Sequence, residues 1–321
     1  MLDKPEAEYD DARCVHYAVD VLKQKHDKPL FLACGLFHPH LPWYTPQADT
    51  DRYPAEEVAL PETPKNDLDD VPAPGKKLAL RKADDLAKLR KTGKWRTAVS
   101  QYLASITFAD RQIGRLLDAL DNGPHKDNTI IVLWSDHGWH LGEKGHWHKR
   151  TLWEVATRVP MIVVAPRTGK AGQACRRPTS TIDLFPTLIE LCKLPKLDDL
   201  DGTSLVPLLK APAAASAPAV TVDENRHVAV RDDRYRYIRY RDGSEELYDH
   251  QSDPHEWKNL AGEATLKEIV TTLASHIPKT FAKSARTKKA YDFDPHAYRW
   301  KAKETGEVIE GGMCALLPIT K

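Results

Sequence analysis

Thr129-Ile130-Ile131-Val132-Leu133-Trp134-Ser135-Asp136-His137-Gly138 is the stretch that decides the architecture of this chain. Ile130 to Trp134 are apolar without interruption, the pattern of a strand buried on both faces. A similar run, Val159 to Ala165, follows, and another, Leu30 to Phe37, precedes. Between them lie helical spacings. Val15, Ala18, Val19 and Leu22 share one face of a helix predicted over 9–24. Tyr102, Ile106, Ala109, Ile113, Leu116, Leu117 and Leu120 do the same over 97–120, where Asn122-Gly123-Pro124 stops the helix. A third helix is predicted over 181–193, with cap-type Thr181 and Asp183 at its start and Pro186 in its first turns. Unbroken apolar strands alternating with amphipathic helices predict an α/β core with a mainly parallel sheet, its strands near 29–37, 129–134 and 159–165.

Residues 45–95 are rich in Pro, Asp and Lys and predict a long surface excursion with at most a short helix. Past Ala211-Pro212-Ala213 the texture changes. His227–Arg231 and Tyr235–Tyr240 alternate polar and apolar residues around Asp232-Asp233, as a hairpin with one wet face does. The expected organisation is an α/β part over 1–215, a small antiparallel subdomain with a terminal helix (264–276) over 216–280, and an irregular tail over 281–321.

The 321 residues carry a formal net charge of +1, with 41% hydrophobic and 29% charged residues. That balance supplies no field for nucleic acid and predicts a soluble globular chain. No window approaches the ~20 apolar residues of a membrane helix. The acidic start, Met1 to Cys14, does not read as a signal peptide. Five scattered cysteines, none in a CxxC pair, exclude a zinc ribbon or thioredoxin motif.

Ligands of open α/β sheets bind beyond the carboxyl ends of strands, where Asp136 and His137 stand. Spacing alone leaves two readings open: a divalent-cation site, or an aspartate that caps the next turn. His38, His140, His146 and His148 crowd the flanking loops. They read either as a transition-metal site or as a rim of donors for anionic groups, though no H-x-x-x-H helix pair is present. Trp43, Trp139, Trp147 and Trp153 read as core or as a wall against a sugar ring.

Ser135-Asp136-His137-Gly138-Trp139-His140-Leu141-Gly142-Glu143-Lys144-Gly145-His146-Trp147-His148-Lys149 resembles the second signature region of type I sulfatases, of the alkaline-phosphatase-like superfamily. It is most similar to the iduronate-2-sulfatase-like branch. Gly35-x-x-x-Pro39-His40-x-Pro42, the helix Tyr102–Asp110, Asp201–Leu209 and Glu246–Pro254 match further landmarks, in order, across residues 10 to 260. The resemblance implies a sulfuric ester hydrolase acting on a sulfated saccharide, such as a 2-O-sulfated uronate. It implies Asp136 and His137 as ligands of a divalent cation, calcium in this family. Lys149 and His40 would be catalytic, on the sulfate and the leaving oxygen. His38, His140, Trp147 and His148 would bind substrate. It also implies export to the periplasm or the extracellular space.

The family nucleophile is a formylglycine made from Cys or Ser in C/S-x-P-x-R, and no cysteine or serine here fits that pattern. Asp10-Asp11 is the nearest pair to the family's Asp-Asp strand end, but no apolar strand precedes it. The expectation is therefore a chain that lacks the formylglycine segment, an incomplete sheet at its amino-terminal side, and no turnover by this chain alone. The alternatives are a phosphatase or phosphodiesterase of the same superfamily, and a non-catalytic ligand-binding remnant.

Overall fold

The computed structural model describes residues 4–169, 171–281, 291–294, 296–297 and 299–310. They fall into two compact units, Met1–Ile277 and Pro278–Lys321. In the first, α1 (Asp10–Leu22) buries Ala12, Val15 and Ala18. It packs along a 27-residue helix that closes the next segment, and Tyr9 meets Phe108 of that helix at 5.3 Å between ring centroids.

The excursion over 45–95 is not the loop that its composition predicts. It holds α2 (Gln47–Thr50), α3 (Ala73–Ala79) and α4 (Ala83–Lys91). Val58, Val71, Leu78, Ala79 and Leu86 are buried. Its few apolar residues are too sparse for a periodic signal, yet each plugs a separate position in the core. The long helix itself, α5 (Trp95–Asp121), runs where the spacing predicts and ends at Asn122-Gly123.

β1 (Ile131–Trp134) emerges next, followed by a two-stranded ribbon of β2 (His140–Leu141) and β3 (Trp147–His148). α6 (Glu154–Thr157) leads into β4 (Met161–Val164). β4 pairs with β1 antiparallel, Leu133 facing Ile162. The α/β class holds, but every strand pair among the described residues is antiparallel. Parallel neighbours are usually joined by a long helix that crosses over the sheet, whereas the 135–160 connection is spent on the β2–β3 ribbon and the four-residue α6. Residues 29–37 are a second correction. The run is without strand pairing, and Phe31 is 83% exposed. Apolar residues select burial, but a strand exists only beside a partner, and none of the described residues pairs with this run.

The third predicted helix begins with the 3-10 turn Thr181–Asp183, closed by a Ser180/Asp183 capping box, and continues as α7 (Leu184–Leu191). After α8 (Val206–Lys210) comes a four-stranded antiparallel meander of β5 (Ala219–Val222), β6 (Val228–Arg231), β7 (Tyr235–Arg239) and β8 (Glu245–Asp249). The Asp232 carboxylate closes the predicted turn by accepting the Arg234 and Tyr235 amides at 2.8 and 2.6 Å. Ala229, Ile238, Tyr240 and Tyr248 of this meander share one core with Leu78, Leu152 and Trp153, so 216–277 belongs to the first unit. α9 (Lys267–Ala274) completes that unit.

The tail is more regular than its basic composition suggests. β9 (Tyr291–Asp294), β10 (Arg299–Ala302) and β11 (Val308–Glu310) form an antiparallel sheet, with Phe293 stacked on Trp300.

Candidate active site

The chain leaves β1 at Trp134 and turns at Gly138. A Cβ at Gly138 would lie 2.1 Å from the Val155 carbonyl oxygen, so only glycine lets this turn cross the backbone of α6. The Gly138 amide donates to Ala156 O at 2.8 Å and fixes that crossing. Asp136 and His137 are thereby held just past the strand end. His137 Nδ1 lies 2.8 Å from Gly138 O, an acceptor, so this nitrogen carries the proton. The other nitrogen, Nε2, faces Asp136 Oδ2 at 3.4 Å. The carboxylate is a hard oxygen donor suited to a divalent cation, and the imidazole lone pair opposite it is a softer second donor. The Asp136 side chain is largely open to solvent, with no other bonded partner among the described residues.

Trp139 is the centre of the constellation. Its ring centroid lies 5.7 Å from that of His40, 6.1 Å from His137 and 5.1 Å from His148. Lys149 Nζ sits 5.6 Å above it. His40 and His137 are 6.3 Å apart between centroids. The structure thus brings together His40, Asp136, His137 and Lys149 from two loops nearly a hundred positions apart. Burial pushes the Lys149 ammonium below its ordinary range, with Asp136 opposing the shift and Arg150 adding to it. His40 Nδ1 is 2.7 Å from Leu41 O, and Nε2 has no hydrogen-bond partner among the described residues. The buried Trp139 Nε1 has no hydrogen-bond partner among the described residues.

Of the four residues expected to bind substrate, three are engaged within the protein and one lies at the rim. His140 is fully buried; its Nδ1 pairs with Glu143 O at 3.0 Å and its Nε2 with the Thr151 hydroxyl at 2.7 Å. It has no nitrogen left for a ligand, and burial together with neighbouring His146 pulls its pKa down to about 3. Trp147 is core, edge-on to Trp43 at 5.9 Å. His38 has both ring nitrogens engaged, with Asp11 and with Tyr44 O. His148 alone stays at the rim, its Nε2 at 2.7 Å from Asp85, and its φ of 95° is a conformation side chains rarely adopt. Nothing in the sequence marks the partners Asp11 and Asp85: Asp10-Asp11 lacks the apolar strand of the family's Asp-Asp pair, and Asp85 lies in a polar stretch with no motif.

A layer beneath holds the signature loop in place. Lys144, buried, meets Asp67 at 2.6 Å and stands over the Trp153 and Tyr248 rings. Glu154, His250 and Glu256 bring ligand atoms within 4.8 Å of one another. Arg236 already occupies that space. Its guanidinium bonds Glu154, and its Nε lies 2.8 Å from Glu256 Oε1, a charge contact without hydrogen-bond geometry. Burial alone would raise the Glu154 carboxyl, but Arg236 and Arg231 hold it at about 2. This cluster is a clamp between α6 and the meander, with an internal cation of its own.

The Sulfatase family model matches residues 2–194, and the model of the N-sulphoglucosamine sulphohydrolase C-terminal region matches residues 142–283. A sulfatase of Formosa agariphila is 37% identical over 91% of this chain and 58% of its own length. Human iduronate 2-sulfatase is 31% identical over 77% of this chain and 48% of its own. Among solved structures, the phosphonate monoester hydrolase of Agrobacterium radiobacter superposes with a TM-score of 0.75 at 22% identity, covering 97% of this chain and 66% of that one. A protein in complex with its substrate D-glucosamine-2-N,6-O-disulfate superposes at 0.68 and 23% identity, over 84% and 68%. These superpositions establish the alkaline-phosphatase-like fold. The chain belongs to the sulfatase family, which implies a divalent-cation site. It spans about half the length of the curated relatives it matches.

Proposed function

We propose that this chain forms the cation-binding and sulfate-orienting face of a sulfuric ester hydrolase whose substrate is a sulfated saccharide. The observation that carries the reading is the convergence of His40, Asp136, His137 and Lys149 on Trp139. Cleaving a sulfate ester leaves negative charge on the sulfuryl oxygens and builds it on the departing oxygen. The Lys149 ammonium can hold a sulfuryl oxygen, and its partial desolvation strengthens that contact. His40, with Nδ1 donating to Leu41 O, can offer a proton from Nε2 to the leaving oxygen when the ring is an imidazolium protonated on both nitrogens. Asp136 and His137 would hold the cation, calcium by the family's habit, which neutralises sulfuryl charge when bound. The attacking group, formylglycine in this family, has no candidate among these 321 residues and would come from sequence outside them.

The saccharide assignment rests on relatives named for such substrates, iduronate and N-acetylglucosamine-6-O-sulfate among them, and on the half-buried His40, His148 and Lys149, since the four tryptophans are core. The test is calorimetric titration of the chain with calcium chloride, then with a 2-O-sulfated uronate, with a phosphate monoester in a parallel cell. Saturable calcium binding followed by preferential sulfate-ester binding supports the reading. Tighter binding of the phosphate ester would move the assignment to the phosphatase and phosphodiesterase side of the superfamily. No calcium binding would remove the cation role of Asp136 and His137.

A further inference from the structure

His40 sits on a turn with little regular structure of its own, and something must hold it. The Phe37–His40 turn is closed by the His40 amide on Phe37 O at 2.9 Å. Its outer side is held from α1. Asp11 Oδ1 accepts the Phe37 amide at 2.7 Å, and Oδ2 accepts the His38 amide at 2.9 Å and His38 Nδ1 at 2.7 Å. Three donors on one carboxylate account for nearly all its lone pairs. Both side chains are almost wholly out of solvent, 3% exposed for Asp11 and 9% for His38. The far nitrogen of His38, Nε2, lies 3.0 Å from Tyr44 O. A carboxylate and a carbonyl can only accept, so making both bonds requires a proton on each ring nitrogen. The edge of Phe108, from α5, packs on the His38 ring at 5.1 Å. The next carbonyl along, Pro39 O, accepts Trp43 Nε1 at 2.7 Å.

We propose that Asp11 and His38 form a buried brace that sets the position of His40, making Asp11 a positioning residue for the site although it stands 27 positions before His38. The brace is inferred from the turn itself; only its consequence for the ester rests on the function proposed above. An aspartate in a polar helix start thereby fixes two consecutive amides and one imidazole of the loop that carries His40. Burial would raise the Asp11 carboxyl, and its bonds to His38 and Phe37 hold it below the ordinary carboxylate range instead, as a working anion in this brace.

The experiment is nitrogen-15 NMR of the histidine rings in the full chain, with inorganic sulfate as the probe anion. In the parent protein His38 Nδ1 is expected to be protonated and hydrogen-bonded to a carboxylate. In Asp11→Asn that bond is lost, the His40 ring resonances shift or broaden, and the amides of the C-terminal meander stay in place. A His38 whose Nδ1 carries no proton in the parent protein overturns the proposal without any variant, so a variant that fails to fold leaves it testable. Unmoved His40 signals in a folded Asp11→Asn protein overturn it as well. Sulfate added to the parent protein should shift His40 and Lys149, and Asp11→Asn should weaken that response roughly tenfold. If sulfate shifts neither residue while the His38 bond and the His40 displacement are both seen, the brace stands and the sulfate-site reading falls.

Discussion

Trp153 Nε1 donates a 2.8 Å hydrogen bond to Glu246 Oε2, joining the signature loop to the meander across 93 positions. The same buried carboxylate accepts the hydroxyls of Tyr240 and Tyr248. Burial raises the Glu246 pKa, against the pull of its three donors and of Lys144. Trp153 and Tyr248 are in turn the rings beneath Lys144. The loop that presents Asp136 to Lys149 is therefore fastened from below by the first residue of a separate landmark, Glu246–Pro254.

Replacing Glu246 by Ala leaves three buried donors without an acceptor. A loss of about 3 kcal/mol or more in unfolding free energy is expected, with Glu246→Gln losing less because it keeps one acceptor. Urea denaturation of the three proteins measures it, and equal midpoints would refute the fastening role.

Removal of the carboxylate at the strand end should cripple cation binding. Asp136→Asn is expected to weaken calcium affinity by roughly tenfold or more, since affinity for a hard cation follows ligand charge and number. Calorimetry compares it with Glu263→Gln on the surface, which should bind as the parent does. Equal affinities for parent and Asp136→Asn would place the cation elsewhere.

Lys149→Met keeps length and removes charge. It should weaken inorganic sulfate binding about tenfold, equivalent to about 1.4 kcal/mol, with little effect on unfolding. Chemical-shift titration reads this directly. A fall in melting temperature with unchanged sulfate affinity would make Lys149 a structural residue.

His140 makes the fold sensitive to acid. The unfolded chain protonates such a group near 6.5, and the folded protein resists down to about 3. The stability that neutral His140 contributes is complete above the unfolded value. It falls as pH drops through the window, by about 1.4 kcal/mol per pH unit for one proton. Urea titrations at about pH 7 and about pH 5 should separate by that slope, and His140→Gln should flatten it. An unchanged slope in the variant would assign the acid sensitivity to another group, such as His146, which burial also holds below its ordinary range.

Turnover of a chromogenic aryl sulfate by these 321 residues, with calcium present, is expected at the uncatalysed rate, because groups that stabilise charge need an attacking atom. A longer polypeptide carrying a C-x-P-x-R segment ahead of this sequence is the comparison. Equal, measurable hydrolysis by both would reveal a nucleophile within this chain.

The sequence by itself determined the elements with dense local signals. α5 follows from seven apolar residues at helical spacing, the β6–β7 hairpin from alternation around Asp232-Asp233, and the Asp136-His137-Gly138 turn from a strand end followed by glycine. Membership of the sulfatase family was equally legible, because its landmarks are short stretches whose order survives without knowledge of packing. Tertiary structure alone decided the rest. Whether Leu30–Phe37 pairs as a strand depends on a neighbour, which no local pattern contains. β1 and β4 read alike for parallel and antiparallel pairing, since an apolar run carries no direction, and only the connection between them chose. His38, His140, His146 and His148 looked equivalent in sequence. The fold left His148 at the rim and spent both nitrogens of His38, His140 and His146 on internal partners, because hydrogen-bond partners are assigned by proximity in space. Asp11 sits in a pair that lacks the strand of the family's Asp-Asp motif; its role as an acceptor exists only because α1 packs where the Phe37–His40 turn needs one.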